Sequence, residues 1–160
     1  MLFESDSFVL SPTSTSASTD SSSSPTAMLS AEQRDKLVAA AFEAKANSYS
    51  PYSNFPVGAS LLAADGTIIK GASIDVASFA GTICAERVAL VKAVSDGTRS
   101  FKALAITSNV ASAISPCGMC RQLIHEFCAQ DMPIYLVPGN YNTTQDGIKE
   151  TTIRELLPNL

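Results

Sequence analysis

Hydrophobic positions recur with helical spacing in the stretch that follows Ser30. The apolar stripe consists of Leu37, Val38, Ala41, Phe42 and Ala44. Ser30 is a favourable N-cap, and Gln33 three residues later completes the pattern of a capping box. Pro51 disfavours helical geometry at the residue before it, so the helix should end near Tyr49. The pattern therefore predicts a first helix between these two signals.

Short apolar runs alternate with further helical patterns along the rest of the chain. Residues 57–63 and 67–71 are strand-like, and Asp65-Gly66 between them is a typical hairpin turn. The remaining predicted elements are a mostly apolar helix over 82–94, a buried strand over 103–107, a helix over 117–129, a strand over 133–137 and a short helix over 151–157. Strands and helices that alternate around one sheet predict an α/β domain.

The first 29 residues differ in composition from the remainder. Between Ser11 and Thr26 almost every residue is Ser, Thr, Pro, Ala or Asp. Such a segment has too little apolar area to offset the entropy of ordering. We therefore expect a disordered Ser/Thr-rich tail over 1–29 and one folded domain over 30–160, with Met28 as an alternative start.

The charge balance limits the class of partner. The chain has 160 residues, of which 46% are hydrophobic and 16% charged, and its formal net charge is −4. Nucleic-acid binders usually carry a basic face, so this acidic balance favours a small-molecule substrate and no nucleic acid. The high apolar fraction leaves surface to bury between subunits, which indicates a homo-oligomer.

The expected compartment is the cytoplasm. No apolar run approaches the ~20 residues of a membrane span, and the first basic residue, Arg34, comes too late for a secretory or mitochondrial signal. We therefore expect no membrane association. In a reducing compartment the four cysteines are expected to be ligands or buried thiols, not disulfides.

Two short cysteine motifs carry the strongest chemical signal. Cys84-Ala85-Glu86 opens one predicted helix, and Cys117-Gly118-Met119-Cys120 opens another 33 positions later. A helix N-terminus favours the thiolate, the form of cysteine that binds zinc. Cys117 and Cys120 share one helical face, and Cys84 supplies a third sulfur. Three protein ligands leave the fourth position of zinc open for water, which is typical of a catalytic site.

Glu86 separates this pattern from a purely structural zinc site. Two positions from Cys84, its carboxyl can reach a zinc-bound water. Hydrolysis of an amidine in a ring needs a proton taken from water, one delivered to the ring nitrogen and one given to departing ammonia, and a single carboxyl can serve all three. Zinc deaminases combine such a glutamate with cysteine ligands and a Pro-Cys-x-x-Cys motif, which begins here at Pro116. Arg87 can offset the negative charge of the thiolates.

Other interpretations of the cysteines are open from the residues alone. Cys-x-x-Cys also occurs in redox pairs and in structural zinc sites. His125, the only histidine, or Cys128 could complete a closed site with four ligands. Cys128 falls on a helix beside Ile124 and Phe127, however, where a core thiol is expected. His125 is expected to be a surface or packing residue.

Further segments extend a resemblance to a known family. The matching segments are Tyr49-Ser50-Pro51-Tyr52-Ser53, Phe55-Pro56-Val57-Gly58-Ala59, Thr82-Ile83-Cys84-Ala85-Glu86-Arg87, Ser115-Pro116-Cys117-Gly118-Met119-Cys120-Arg121-Gln122 and Glu155-Leu156-Leu157-Pro158. With them, the chain from about Ser30 to Leu157 resembles the small, three-cysteine cytidine deaminases, to which blasticidin S deaminase is related. The resemblance implies a three-layer catalytic domain with a mixed five-stranded sheet flanked by helices, one Zn²⁺ in each subunit, and a homotetramer, with a dimer as the alternative.

The resemblance also implies roles for individual residues. Phe55 would line the pyrimidine pocket, the Ala85 backbone amide would bind the ring carbonyl oxygen, and the Ser115 backbone carbonyl would bind the amino group. Arg87 would lie against the zinc thiolates.

One segment departs from the family pattern. Where relatives have Asn-x-Glu-Asn-Ala-Ser-Tyr, with Asn and Glu on the ribose hydroxyls, this chain has Ser73 and Asp75 at the corresponding positions. We expect these two residues to contact the substrate. Because both side chains are shorter, either the sugar shifts inward or the substrate carries a different group there.

The expected function is zinc-dependent hydrolytic deamination of a free cytosine nucleoside in pyrimidine salvage. Cytidine or deoxycytidine would become uridine or deoxyuridine, with release of ammonia. The nearest alternative is the same chemistry on a modified nucleoside or another aminated heterocycle. A polynucleotide deaminase fits less well, because the acidic chain has no tryptophan and strand-binding grooves are usually basic and aromatic. A non-catalytic, zinc-stapled binding module is the alternative from a different class.

Overall fold

A computed structural model of the chain describes residues 29–158. The predicted tail lies outside the described residues except for Leu29. The first helix, α1, spans Ala31–Ala46, and its capping box is confirmed. The Gln33 backbone N–H donates to Ser30 Oγ, and the Ser30 backbone N–H donates to the Gln33 side chain, both at 3.1 Å.

Four further helices and five strands follow α1 in the described part of the chain. The helices are α2 (Ala85–Ser95), α3 (Gly118–Phe127), α4 (Tyr141–Thr144) and α5 (Ile153–Leu156). The strands are β1 (Val57–Ala63), β2 (Ile68–Ala72), β3 (Phe101–Ser108), β4 (Ile134–Val137) and β5 (Lys149–Thr151). A short 3-10 turn covers Phe79–Gly81. Among the helices of residues 29–158, none is long and apolar enough to cross a membrane.

The five strands form one mixed sheet in the order β2-β1-β3-β4-β5. Strands β3 and β4 are parallel, and the other neighbours are antiparallel. A parallel pair needs a crossover connection, and α3 supplies it between β3 and β4. The expected α/β domain with a mixed five-stranded sheet is therefore confirmed.

The sheet separates two apolar cores. Successive strand residues point to opposite faces, so β1 and β3 contribute to both. On one face, Leu37 of α1 and Leu62 of β1 belong to the same buried cluster. On the other face, Leu90 of α2 and Ile124 of α3 pack in a cluster with Leu104 of β3. The resulting helix–sheet–helix layers place the starts of α2 and α3 on one side of the sheet.

Two glycines allow helices to approach the sheet closely. A Cβ atom on Gly58 of β1 would lie 2.1 Å from the carbonyl oxygen of Ala41 in α1. A Cβ atom on Gly71 of β2 would lie 2.3 Å from the carbonyl oxygen of Ala85 in α2. Both distances are far below van der Waals contact, so a side chain would displace the helix. The Gly71 contact fixes the start of α2, where the first cysteine motif lies.

Several details differ from the predictions. Helix α2 begins at Ala85 and not near residue 82, because Ile83 pairs with Ile74 in a β-bridge. Helix α3 spans Gly118–Phe127, one residue later at its start and two shorter at its end than expected. The final helix, predicted over 151–157, begins at Ile153, because Thr151 belongs to β5. This short, polar edge strand is paired with β4 and has no predicted counterpart.

Candidate active site

The starts of α2 and α3 bring three cysteine side chains together. Cys84 is the N-cap of α2, Cys117 is the N-cap of α3, and Cys120 lies in the first turn of α3. Their Sγ atoms all lie within 4.8 Å of one another. Cys84 Sγ is 3.8 Å from Cys117 Sγ, which is 3.4 Å from Cys120 Sγ. Three soft thiolate donors in one cluster fit a tetrahedral zinc ion with one position open.

The structure does not add a fourth protein ligand to this cluster. Among the described residues, the side chains grouped closely enough to hold a metal are these three cysteines. Cys128 is 8% exposed and belongs to the apolar core, where burial raises the pKa of its thiol to about 12. Nδ1 of His125 lies 2.7 Å from the side-chain nitrogen of Gln130. A closed four-ligand site is therefore not formed by the part of the chain that is described.

The surroundings of the sulfur atoms favour negative charge at Cys84. The pKa of its thiol falls to about 5, chiefly because the Cys120 thiol donates a hydrogen bond to it. The same interaction raises the pKa of Cys120. Nη2 of Arg87 lies 3.8 Å from Cys84 Sγ and 2.9 Å from the carbonyl oxygen of Thr82. The backbone of Thr82 thus holds the guanidinium where its positive charge stabilises the Cys84 thiolate.

Glu86 is the second residue of α2 and is 4% exposed. Burial raises the pKa of its carboxyl to about 7, because the charged form loses solvation inside the protein. Negative charge at Cys84 raises this pKa further. A carboxyl that titrates near neutral pH can accept a proton and donate it again, which general acid–base catalysis requires.

A cavity of about 240 Å³ is lined by Glu86 together with two of the three cysteines, Cys84 and Cys117. The predicted site residues that line it are Phe55, Ser73, Asp75, Cys84, Glu86, Ser115 and Cys117. Cys120 and Ala85 are fully buried, and Arg87 lines a neighbouring groove. The structure therefore places the predicted metal, proton-transfer and substrate residues in and around one cavity.

Five further residues line the cavity without having been predicted. They are Ser53, Val57, Thr82, Ile83 and Ile114. Small hydroxyls and aliphatic side chains have no chemical signature that marks them as site residues. Each of the five lies within two positions of a predicted site residue, and that proximity is the signal that could have identified them.

Comparison with known proteins decides the family. The family model for the cytidine and deoxycytidylate deaminase zinc-binding region matches residues 31–136. A cytidine deaminase from Sporosarcina psychrophila is 51% identical over 124 residues, which cover 78% of this chain and 88% of that protein. The chain belongs to the cytidine deaminase family. The resemblance inferred from its motifs is confirmed.

Other relatives of this deaminase agree in fold and in family. The crystal structure of a cytidine deaminase from Burkholderia pseudomallei aligns with a TM-score of 0.72 and 35% identity, covering 78% of this chain and 96% of that one. A blasticidin-S deaminase from Bacillus cereus is 31% identical over 110 residues, which cover 64% of this chain and 74% of that protein. The deaminase family binds zinc, and the three clustered thiols provide a ligand set that fits it.

Arg121 connects the second cysteine motif of the deaminase to its C-terminal helix. Its Nε donates to the carbonyl oxygen of Pro116 at 2.8 Å. Its two terminal nitrogens donate to the carbonyl oxygen of Leu156 at 2.7 Å and to Ser115 Oγ at 3.0 Å. One planar guanidinium therefore fixes the residues before Cys117 against the end of α5.

Proposed function

We propose that this chain hydrolyses the amino group of a free cytosine nucleoside. Cytidine or deoxycytidine and one water give uridine or deoxyuridine and one ammonia. The observation that carries the proposal is the position of Glu86, a buried carboxyl with a raised pKa, in the same cavity as the cysteine cluster. A structural zinc site has no use for a buried proton carrier beside its ligands.

We assign the metal to Cys84, Cys117 and Cys120. Zinc bound there would supply a Lewis acid that makes a water molecule nucleophilic near neutral pH. Glu86 accepts a proton from that water and delivers a proton to the ring nitrogen next to the carbon that bears the amino group. After the carbon–oxygen bond has formed, Glu86 transfers the second proton of the water to the amino group, which leaves as ammonia. Glu86 is then a carboxylate again, as it was at the start of the cycle.

We assign the pyrimidine contacts to the edges of the same cavity. Ala85 is the first residue of α2, so its backbone N–H has no acceptor within the helix and is available to the ring carbonyl oxygen. The Ser115 backbone carbonyl is assigned to the departing amino group. Phe55 supplies an aromatic face for the ring, and Arg87 offsets the charge of the thiolates.

A small substrate suits both the cavity and the charge. The volume of about 240 Å³ suits a single small molecule, and the formal net charge of −4 disfavours a polynucleotide. None of the four cysteines, all of which lie within residues 29–158, forms a disulfide, which favours a reducing compartment. We therefore propose a cytoplasmic enzyme that returns free nucleosides to the pyrimidine pool, with no nucleic-acid or membrane partner.

We also propose that the enzyme is a homo-oligomer, with a tetramer favoured over a dimer. The groove next to the cysteine cluster has a volume of about 490 Å³ and is lined in part by Ile83, Val91, Met119 and Leu123. Met119 is 65% exposed and Val91 56% exposed. A contiguous apolar surface of this kind is usually buried by a partner. The molar mass of the purified protein from light scattering tests this assignment.

A modified cytosine nucleoside is the second candidate substrate. Ser73 and Asp75 leave a shorter polar edge on the cavity than Asn and Glu would, and a blasticidin-S deaminase is among the relatives. The same zinc chemistry and the same Glu86 would serve it. What differs is the group attached to the ring, so a substrate panel separates the two candidates.

The test is ammonia release by the zinc-loaded protein with cytidine, deoxycytidine, blasticidin S and free cytosine in separate reactions. We expect rapid release from the first two and little from the free base, which lacks a sugar to pack in the cavity. Release confined to blasticidin S would establish the second candidate. A zinc-loaded protein that deaminates none of the four compounds would contradict the proposed function.

A further inference from the structure

Two segments distant in sequence form the cavity wall that carries Phe55. We call residues 48–57 the Phe55 loop and residues 73–75 the bracket. Their backbones pair in a short ladder: Tyr49 N–H donates to the Ser73 carbonyl at 3.0 Å, and Asp75 N–H donates to the Tyr49 carbonyl at 2.7 Å. Ser73 N–H donates to the Val57 carbonyl at 3.0 Å. The bracket therefore holds both ends of the loop.

The side chain of Ser73 is used in the same attachment. Its Oγ accepts the backbone N–H of Val57 at 3.0 Å and lies 2.7 Å from Ser48 Oγ, which is itself 2.6 Å from Ser50 Oγ. Ser73 is 7% exposed. A hydroxyl has one donor and two acceptor positions, and these bonds occupy most of them. Little hydrogen-bonding capacity is left for a ligand.

The side chain of Asp75 holds the middle of the Phe55 loop. One carboxylate oxygen, Oδ2, accepts the backbone N–H of Tyr52 at 3.2 Å and that of Ser53 at 2.8 Å. These bonds hold the pKa of the carboxyl below its usual value, so it is charged at neutral pH. The loop turns tightly at Asn54, whose φ is +52°, and the next residue is Phe55. Asp75 thus fixes the turn that presents the aromatic ring.

Each of the other hydroxyl side chains of the cavity accepts one hydrogen bond from within the chain. Ser53 Oγ accepts the backbone N–H of Phe55 at 3.2 Å, and Thr82 Oγ1 accepts that of Val76 at 3.1 Å. Ser115 Oγ accepts from Arg121 at 3.0 Å. Apart from Cys84, Glu86 and Cys117 at the metal side, the remaining lining is apolar and consists of Phe55 and the aliphatic residues at positions 57, 83 and 114.

We propose that Ser73 and Asp75 are positioning residues that hold the Phe55 loop, and that the enzyme recognises the sugar by shape and scarcely by its hydroxyl groups. This inference rests on the proposed function and narrows its substrate class. The class is cytosine nucleosides whose sugar fills the apolar part of the cavity, with ribose, deoxyribose and dideoxyribose accepted alike. The direct sugar contact expected from the resemblance is replaced by an indirect role.

The first test compares kcat/KM of the wild-type enzyme for cytidine, 2′-deoxycytidine and 2′,3′-dideoxycytidine. A site built around a hydrogen bond to a substrate hydroxyl rejects the analogue without it by factors of about 10⁴–10⁵. We expect the three values to lie within about tenfold of one another, since roughly tenfold corresponds to the net value of one weak hydrogen bond. A larger loss with the dideoxynucleoside would overturn the inference.

The second test uses Asp75→Asn and Asp75→Ala. Because both loop N–H groups bind one oxygen, an asparagine amide oxygen can keep both bonds while the charge and the second acceptor are lost. Asp75→Ala removes both bonds and frees the loop. We expect Asp75→Asn to stay within about threefold of wild type, and Asp75→Ala to raise KM about tenfold or more by a similar factor for all three nucleosides, with kcat little changed.

The pattern across substrates separates positioning from direct contact. If either variant loses kcat/KM for cytidine but not for the dideoxynucleoside, Asp75 binds a hydroxyl and the inference is wrong. Should Asp75→Ala fail to fold, Asp75→Asn alone still gives this comparison. A zinc-loaded wild-type enzyme inactive on all three nucleosides would overturn the proposed function itself, whereas an active one with strong hydroxyl dependence overturns only this inference.

Discussion

The two sides of the active site are built in different ways. On the metal side, Cys84, Glu86, Cys117 and Cys120 lie at the starts of two helices that pack on one face of the sheet. On the Phe55 side, an irregular loop is held by hydrogen bonds from the bracket, which lies 16 to 26 positions away in sequence. The residues within each cysteine motif are therefore arranged by local helix geometry, and packing brings the two motifs together across 33 positions. The shape of the substrate cavity depends instead on hydrogen bonds between an irregular loop and the bracket.

Removal of one metal ligand should have the largest effect, because it disables the metal side completely. We expect Cys117→Ala to lose zinc, all measurable deamination and the link that zinc makes between α2 and α3. Cys128→Ala is the matched control, because it deletes a core thiol outside the metal group and should keep one zinc per chain. Metal analysis and thermal unfolding of both variants check this. Stoichiometric zinc in Cys117→Ala would contradict the ligand assignment.

The next largest loss of activity is expected at Arg121, which holds the residues before Cys117 against the end of α5. Arg121→Gln should lose about tenfold in kcat/KM and about 1–3 kcal/mol in the free energy of unfolding, because three carbonyl or hydroxyl acceptors lose a charged partner. Arg154→Gln, on an exposed position of α5, is the control and should behave like wild type. Steady-state kinetics and denaturant unfolding provide the two readouts. Equal behaviour of the two variants would refute the supporting role.

A pair of glycine substitutions compares a helix that bears the site with one that does not. Gly71→Ala pushes against α2 and Gly58→Ala against α1, so each should lower the free energy of unfolding by about 1–3 kcal/mol or more. Only Gly71→Ala should also weaken zinc binding, because Cys84 and Glu86 begin α2. Competition with a zinc chelator measures the difference. Equal zinc affinity in the two variants would show that the start of α2 tolerates displacement.

The smallest effect is expected on the Phe55 side, as a dependence of stability on pH. Backbone N–H groups lower the pKa of Asp75 in the folded state, so its charged form favours folding. That contribution is complete above the unfolded pKa of about 3.9 and is lost as the pH falls through the lower folded value. The difference in the free energy of unfolding between wild type and Asp75→Asn should therefore be constant from pH 7 to about 5 and become smaller below about pH 4. Urea unfolding at several pH values measures this difference. A difference that grows as the pH falls would contradict the stabilising role of the Asp75 charge.

The sequence predicts the metal side better than the Phe55 side for a physical reason. Capping residues act over three or four positions, so Ser30 and Gln33 locate α1, and the cysteine motifs locate the starts of α2 and α3 to within a few residues. The bonds from Asp75 to Tyr52 and Ser53 depend on how β1 and β2 bring the two segments together. The local sequence pattern around these residues does not predict such bonds.

Short polar elements are the other part that local patterns miss. Strand β5 has two exposed residues among its three and exists because β4 offers an edge to pair with. Helix α4, Tyr141–Thr144, has no buried residue and no apolar stripe. Hydrophobic periodicity indicates only elements that bury one face, so it does not predict β5 or α4.

The role of Glu86 is tested by measuring zinc content and cytidine turnover on the same samples of wild type and Glu86→Gln. The amide is nearly the same size as the carboxyl but cannot carry the proton. We expect one zinc per chain in both proteins, and a fall in kcat of at least about 10²-fold, up to about 10⁴-fold, in the variant. Turnover near the wild-type rate in zinc-loaded Glu86→Gln would contradict the assignment of proton transfer to Glu86, and with it the proposed mechanism of deamination.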